Sequence, residues 1–470
     1  MKRNIVYVTV DSIRADHIGY AGYDEPTTPN IDELAAEGTT YSRTIANGIP
    51  TYYSFKSLLG GVRSLSHGRD IGLPRDATSL AETFDRAGYE TAGFNAGNPW
   101  LTRNYGYHRG FDTFRDFMTD ESDEPGVSGD TFEQLKQFCK NAVDGSDWLT
   151  DKLGFAGRLF CAINGHIPLE TAETVTERAT DWLARTDTDQ PFFLWIHYMD
   201  PHYPWVPPSE YLTPFGDDDI STYDIGRLWH LVAHLHEDDA TDVADRDLEK
   251  IRTLYDAEIR RTDTAIGRVV NELKRQGVYD ETVISIVGDH GTELYDHGGF
   301  SHGPRTLFDE IVDVPLVFKG PEIPATEYDA AQLVDVPPTL ASKAGLSQEA
   351  VAAFEGDDLF ERRPNGVTTE VVYDYDPALE KNRDNGLLQA RTRWPWKLVR
   401  NLETDETQLY HLESDPREHD EVSEAHPETV RELDAELDES RRAVARRNET
   451  LAEKRWVRER LATLRDESVV

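Results

Sequence analysis

Residues 4–22 read NIVYVTVDSIRADHIGYAG, and the break between Val10 and Asp11 decides the architecture. An unbroken apolar and β-branched run over residues 4–10 fits a strand covered on both faces, the pattern of a parallel sheet flanked by helices. It stops at Asp11 and Ser12. The same grammar recurs downstream. Candidate strands lie at TAGFNA from Thr91, PFFLWIHYM from Pro191, TVISIVGD from Thr282 and VPLVFKG from Val314. Helical patterns over residues 30–37, 79–87, 171–185 and 248–276 separate them. This alternation predicts an α/β fold with a doubly wound sheet and helices on both faces. Polar residues collect where the strands end, the edge at which open α/β sheets bind ligands.

Beyond about residue 350 the texture changes to VTTEVVYDYDP, LLQARTRWPWKLVRN and TQLYHLESDPRE, which predict short antiparallel strands in a small C-terminal α+β subdomain. Pro427 then opens a charged helical segment carrying Leu433, Leu437, Val444 and Leu451 at roughly helical spacing. The expected organisation is a main α/β domain over residues 1–345, a subdomain over 346–425 and a helical tail over 426–470.

The 470 residues carry 49 Lys and Arg against 88 Asp and Glu, a formal net charge of −39. Such a surface repels a nucleic-acid backbone or an anionic membrane. With 38% hydrophobic and 10% aromatic residues the chain still has the apolar surface for a core, which excludes an acidic disordered polymer. The acid excess is spread along the chain, a halophilic pattern that keeps proteins soluble in concentrated salt. Two cysteines, Cys139 and Cys161, exclude a disulfide framework and a cysteine-rich metal site. No charged leader or long hydrophobic segment precedes the first strand, so a cytoplasmic location without a membrane span is expected.

Four separated stretches call for a common explanation: VTVDSIRADHIGYAG (8–22), GIPTYYSFKSLLGG (48–61), FFLWIHYMDPHYPWVPP (192–208) and ISIVGDHGTELYDHGGFSHG (284–303). Asp11, Asp289 and His290 supply two carboxylates and an imidazole, enough for one divalent cation when a hydroxyl or water completes the shell. Thr51 can be that hydroxyl. An ion there lowers the pKa of the bound oxygen and offsets charge on an attacked sulfate or phosphate. The helix after Thr51 also points free N–H groups at the same anion. Each residue has a plainer reading. Thr51 alone is a helix cap worth about 1 kcal/mol, Asp11 and Ser12 are turn formers, and Asp289, His290 and Gly291 are a polar turn. His202 lies between Pro201 and Pro204 in an aromatic loop, and His197 is expected buried in its strand. His297 and His302 flank GGF as loop or site residues. A second cation at Asp200, His202 and His302 would make the site a two-metal one.

The order and wording of these stretches resemble the sulfatase family of the alkaline phosphatase superfamily. The likeness runs over roughly residues 3–420 and includes TTPNIDELAAEGTTYSRTIA, GYETAGFNAGN, GFDTF and LYHLESDPRE. It implies an alkaline-phosphatase-like sheet in which Asp11, Asp289 and His290 bind the metal and the nucleophile heads a helix at Thr51. His202, in the place of the family's DPHxP histidine, then serves the ester or leaving group. His302 falls near another basic substrate-binding position.

Departures from the family pattern are equally informative. The CxPxR core, whose Cys or Ser becomes formylglycine, aligns with Thr51, Tyr53 and Phe55, and a secondary alcohol cannot be oxidised to that aldehyde. The Lys and His of GKWH align with Ala96 and Asn98, and the second Asp of the first motif is Ser12. This loss of cations fits the branch of phosphodiesterases and phosphoglycerol transferases that use an unmodified Thr. The expectation is a hydrolase of sulfate or phosphate esters with one divalent cation (Ca, Mn or Zn). Thr51 is its nucleophile, His202 and His302 assist catalysis, and Arg14 and Asn98 are candidates to contact a small-molecule or glycan ester, Arg14 having the plainer reading of a residue that holds Asp11 or another carboxylate in place. The alternatives are a phosphotransferase passing the group to a sugar or lipid alcohol, and a non-catalytic anion-binding relative. The oligomeric state is left open.

Overall fold

The computed structural model describes residues 2–118, 147–164, 170–187, 190–216, 220–235, 243–303, 306–372 and 386–467. Cys139 and the end of the VTTEVVYDYDP stretch lie outside the described residues. The first strand spans Asn4–Val10 and is buried throughout. Because side chains alternate along a strand, Ile5 and Tyr7 enter the core on one face of the sheet while Val6, Val8 and Val10 enter the core on the other. That explains the unbroken apolar run.

Eight strands form the main sheet, in the order Thr326–Tyr328, Thr39–Tyr41, Leu316–Lys319, Thr282–Gly288, Asn4–Val10, Phe192–Tyr198, Glu90–Asn95 and Thr113–Arg115. Helices that include Pro29–Glu37, Ala172–Leu183 and Asp245–Gln276 cover it. The doubly wound α/β expectation holds, with one difference: Leu316–Lys319 runs antiparallel to both of its neighbours. The reason is the connection before it. Between Gly288 and Leu316 the described chain forms only two-residue strands and a four-residue helix, Asp309–Val312. No crossover helix carries it to the opposite edge, so the next strand starts from the same end and must run back.

Register places the chemistry. Val10 pairs with Tyr198 on one side and with Gly288 on the other, so the segments starting at Asp11, Met199 and Asp289 leave the sheet side by side. The helix Thr51–Leu58, with all eight residues buried, starts over the same edge.

The C-terminal strands Val367–Val372, Leu387–Arg393, Trp396–Asn401 and Thr407–His411 form an antiparallel sheet. The charged helix Pro427–Glu467 packs Leu433 and Leu437 onto Leu398 and Leu409 of that sheet. Arg391 and Arg393 pair with Glu436, and Arg400 with Asp434. This sheet also holds the segment that leads into the Thr51 helix: the Glu370 amide donates to Asn47 O (3.0 Å), and Thr369 Oγ1 donates to Ala46 O (2.6 Å). Among the described residues no helix is long and apolar enough to cross a membrane.

Candidate active site

Thr51 is the first residue of its helix, not its cap. The N-cap is Pro50, and no side chain caps the helix. The Thr51 hydroxyl turns to the sheet edge, where Oγ1 lies 3.3 Å from Asp11 Oδ2 and 3.1 Å from His290 Nε2. The helix-cap reading therefore fails, and residues from three of the four sequence stretches meet at one point.

Asp11, Asp289 and His290 are wholly buried, and one ligand atom from each lies within 4.8 Å of the others. His290 Nδ1 lies 2.8 Å from the Gly291 carbonyl, which can only accept; this places the ring hydrogen on Nδ1 and leaves the Nε2 lone pair facing the carboxylates. Nε2 is 3.5 Å from Asp289 Oδ2 and 3.9 Å from Asp11 Oδ1. Ser12 shapes the bend after the first strand. Its backbone is left-handed (φ 59°), its N–H donates to Asp289 Oδ1 at 3.2 Å, and its hydroxyl donates to Asp11 Oδ1 at 2.7 Å. A non-glycine residue in that region costs about 1–3 kcal/mol and marks a place where surrounding structure dictates the backbone.

Asp289 Oδ2 is buried and has no hydrogen-bond partner among the described residues. An unmatched carboxylate oxygen between a second carboxylate and an imidazole lone pair is the donor set of a divalent cation. Electrostatics agree. Burial, and then the charge of Asp11, push the Asp289 carboxyl well above the usual carboxylate range. Burial also pushes Asp11 upward, but His202, His197 and His290 outweigh it and hold Asp11 below that range. Burial lowers His290 and favours its neutral form.

A cavity of about 380 Å³ opens beside Thr51, walled by Tyr52, Trp100, Met199, His202 and His302. His302 stands between two other imidazoles, 4.4 Å from His290 and 5.1 Å from His202 by ring centroids. His202 Nδ1 lies 2.5 Å from the Tyr203 carbonyl, so Nε2 is the nitrogen available to the cavity.

Other candidates are placed differently. Arg14 does not line the cavity: its guanidinium is tied to Asp16 (2.8 Å), Asp296 (2.7 Å) and Thr292 O (3.3 Å). It fixes the turn after the first strand to the loop after Asp289. Asn98 reaches the cavity, but its amide donates to Asp11 Oδ2 at 3.0 Å and so orients that carboxylate. Asp200 does not join His202 and His302. It accepts from Ala172 N (3.0 Å) and Arg261 (3.2 Å), which removes the carboxylate a second cation there would need. His297 pairs with Glu310 at 2.6 Å and stacks on Phe308, while Glu293 accepts the His297 and Gly299 amides as a turn cap.

The family model for Sulfatase matches residues 3–346. The chain belongs to the sulfatase family and is a hydrolase of sulfuric or phosphoric esters. An arylsulfatase of Clostridium perfringens (strain 13 / Type A) is 25% identical to it over 457 residues, covering 89% of this chain and 89% of that protein. The phosphonate monoester hydrolase of Agrobacterium radiobacter superposes with a TM-score of 0.69 at 20% identity, over 94% of this chain and 96% of that one. BT4656, in complex with its substrate D-glucosamine-2-N,6-O-disulfate, superposes with a TM-score of 0.70 at 19% identity, over 95% of this chain and 98% of its own.

Proposed function

We propose that the protein cleaves phosphodiesters or aryl sulfates with the unmodified hydroxyl of Thr51 as nucleophile, phosphorus esters being the better substrates. The observation that carries this reading is the Thr51 hydroxyl within hydrogen-bond distance of both Asp11 and His290 at the wall of the cavity. Asp11, Asp289 and His290 would hold one divalent cation. When bound it would lower the pKa of the Thr51 hydroxyl and offset negative charge on the attacked group.

The chain's own groups account for the remaining steps. Thr51 Oγ1 forms the bond to phosphorus or sulfur while its proton moves toward Asp11 Oδ2. The ester bond to the leaving oxygen breaks, and His202 Nε2 in its imidazolium form supplies the proton that oxygen needs. His202, now neutral, takes a proton from water; the hydroxide attacks the phosphoryl threonine, and the Thr51 oxygen leaves and recovers its hydrogen. A sulfated threonine lacks the elimination route open to an aldehyde hydrate, which is why phosphorus is favoured. Among the described residues no Lys or Arg lines the cavity.

Purified protein given Mn, Ca or Zn is expected to cleave an aryl phosphodiester faster than an aryl sulfate, and Thr51→Ala is expected to abolish both reactions. Full activity in Thr51→Ala would contradict the assignment. Products of transfer to added sugar or glycerol would move the protein to the phosphotransferases.

A further inference from the structure

His197 belongs to the strand Phe192–Tyr198 and lies behind the carboxylate pair, wholly buried and outside the cavity. The parallel register sets it directly beside Thr9 of the first strand. Thr9 Oγ1 is 3.0 Å from Trp195 Nε1 and 3.0 Å from His197 Nδ1. An indole N–H can only donate, so the Thr9 oxygen accepts from Trp195 and passes its own hydrogen onward. Two acceptors stand in reach, the Ile196 carbonyl at 3.4 Å and His197 Nδ1 at 3.0 Å. The shorter contact makes Nδ1 the acceptor and leaves the ring hydrogen on Nε2. That nitrogen has no hydrogen-bond partner among the described residues and faces Asp11 Oδ2 at 3.7 Å. Phe55 meets the imidazole edge-on at 5.0 Å and Trp195 stacks at 6.1 Å. With aromatic walls instead of water, the charge of the Asp11 carboxylate reaches this N–H across 3.7 Å with little screening.

The geometry points to a positioning relay, Trp195 to Thr9 to His197 to Asp11, that orients the Asp11 carboxylate for the cation. The inference rests on the reading of Asp11, Asp289 and His290 as the metal site. His197 neither lines the cavity nor contacts Thr51, so it acts on the reaction only through the buried carboxylates, of which Asp11 is the one its Nε2 faces. Outer partners of metal ligands commonly set affinity by about 10- to 100-fold.

The test titrates Mn²⁺ alone into the purified full chain and follows free Mn²⁺ by electron paramagnetic resonance, with thermal melting alongside. His197→Phe keeps the ring and deletes the N–H, and is expected to weaken Mn²⁺ binding about 10-fold or more. His197→Gln can return an amide N–H to the place of Nε2 and is expected to recover most of that loss. Thr9→Val cuts the relay one link earlier, so it should weaken binding without adding to the effect of His197→Phe when the two are combined. A purely structural role would lower melting temperatures without this pattern of rescue and non-additivity. Parental Mn²⁺ affinity in His197→Phe, or His197→Gln binding as weakly as His197→Phe, would overturn the relay while leaving the metal site standing. Should His197→Phe fail to fold, Thr9→Val decides alone, and unchanged affinity in it overturns the relay. Absence of Mn²⁺ uptake by the parent chain would overturn the metal site and the relay together.

Discussion

Thr51 Oγ1 lies 3.1 Å from His290 Nε2 across a separation of 239 residues. The helix that begins at Thr51 and the strand that ends at Gly288 share no local sequence signal that could bring them together. The C-terminal sheet holds Ala46 and Asn47 just ahead of the helix, and the register of the main sheet puts Asp289 beside Asp11. The hydroxyl is thus aimed by tertiary structure, and several consequences can be measured.

Thr51→Ala should lose at least about 10³-fold in kcat/KM toward an aryl phosphodiester. Its melting temperature should stay near that of the parent, because Thr51 makes no capping bond in its helix. Steady-state kinetics and a thermal melt on one preparation check both halves.

Replacing His202 separates proton donation from attack. His202→Gln is expected to slow esters of alkyl alcohols by roughly 10²- to 10⁴-fold, with a much smaller effect on p-nitrophenyl esters, whose leaving oxygen needs no proton. A uniform loss across a series of leaving groups would remove His202 from that role.

Lys56, on the Thr51 helix, is buried with its ammonium on the carbonyls of Ser64 (3.0 Å) and Gly68 (3.3 Å), and burial pushes its pKa down to about 7. The unfolded chain holds that proton up to a pH near 10.4. Between about pH 7 and 10 the unfolded state therefore binds more protons, and this residue makes stability rise with pH. Denaturant unfolding across that range should show a shallower rise in Lys56→Met than in the parent.

Lys397 is wholly buried between Asp309 and Glu418, 2.8 Å from each. Removing one member of a buried ion pair leaves charge uncompensated, so Lys397→Met should cost about 3–5 kcal/mol in urea unfolding. Glu418→Gln in the same chain should restore part of it.

The net charge of −39 predicts a salt requirement. At about 1 M KCl the screening length falls to roughly 3 Å, which suppresses self-repulsion of the folded state. The melting temperature is expected to climb through the molar range of KCl and to fall on dialysis into low salt.

Much of this was legible in the chain. Both faces of the central strands are buried, so Asn4–Val10, Phe192–Tyr198 and Thr282–Gly288 announce themselves as unbroken apolar runs, and the polar residues directly after them are the candidate site. Strand direction leaves no such mark, and the reversal of Leu316–Lys319 follows only from the path of the chain before it. The destinations of long polar side chains were partly hidden. That Arg14 holds a carboxylate is readable in residues 8–22, where Asp16 lies two positions away, but its second partner, Asp296, is 282 residues distant and leaves no local sign. His197 could have been singled out: a Thr and a His interrupt two otherwise apolar strands, VYVTV and FFLWIHY, and a polar pair in such runs must find partners inside the core.

The most direct measurement is a crystal structure with Mn²⁺ and vanadate, using anomalous scattering to locate the metal. One Mn²⁺ ion is expected with Asp11, Asp289 and His290 all within about 2.6 Å, and vanadium bonded to Thr51 Oγ1. Mn²⁺ bound elsewhere, or vanadate attached to another residue with the Thr51 hydroxyl free, would contradict this arrangement.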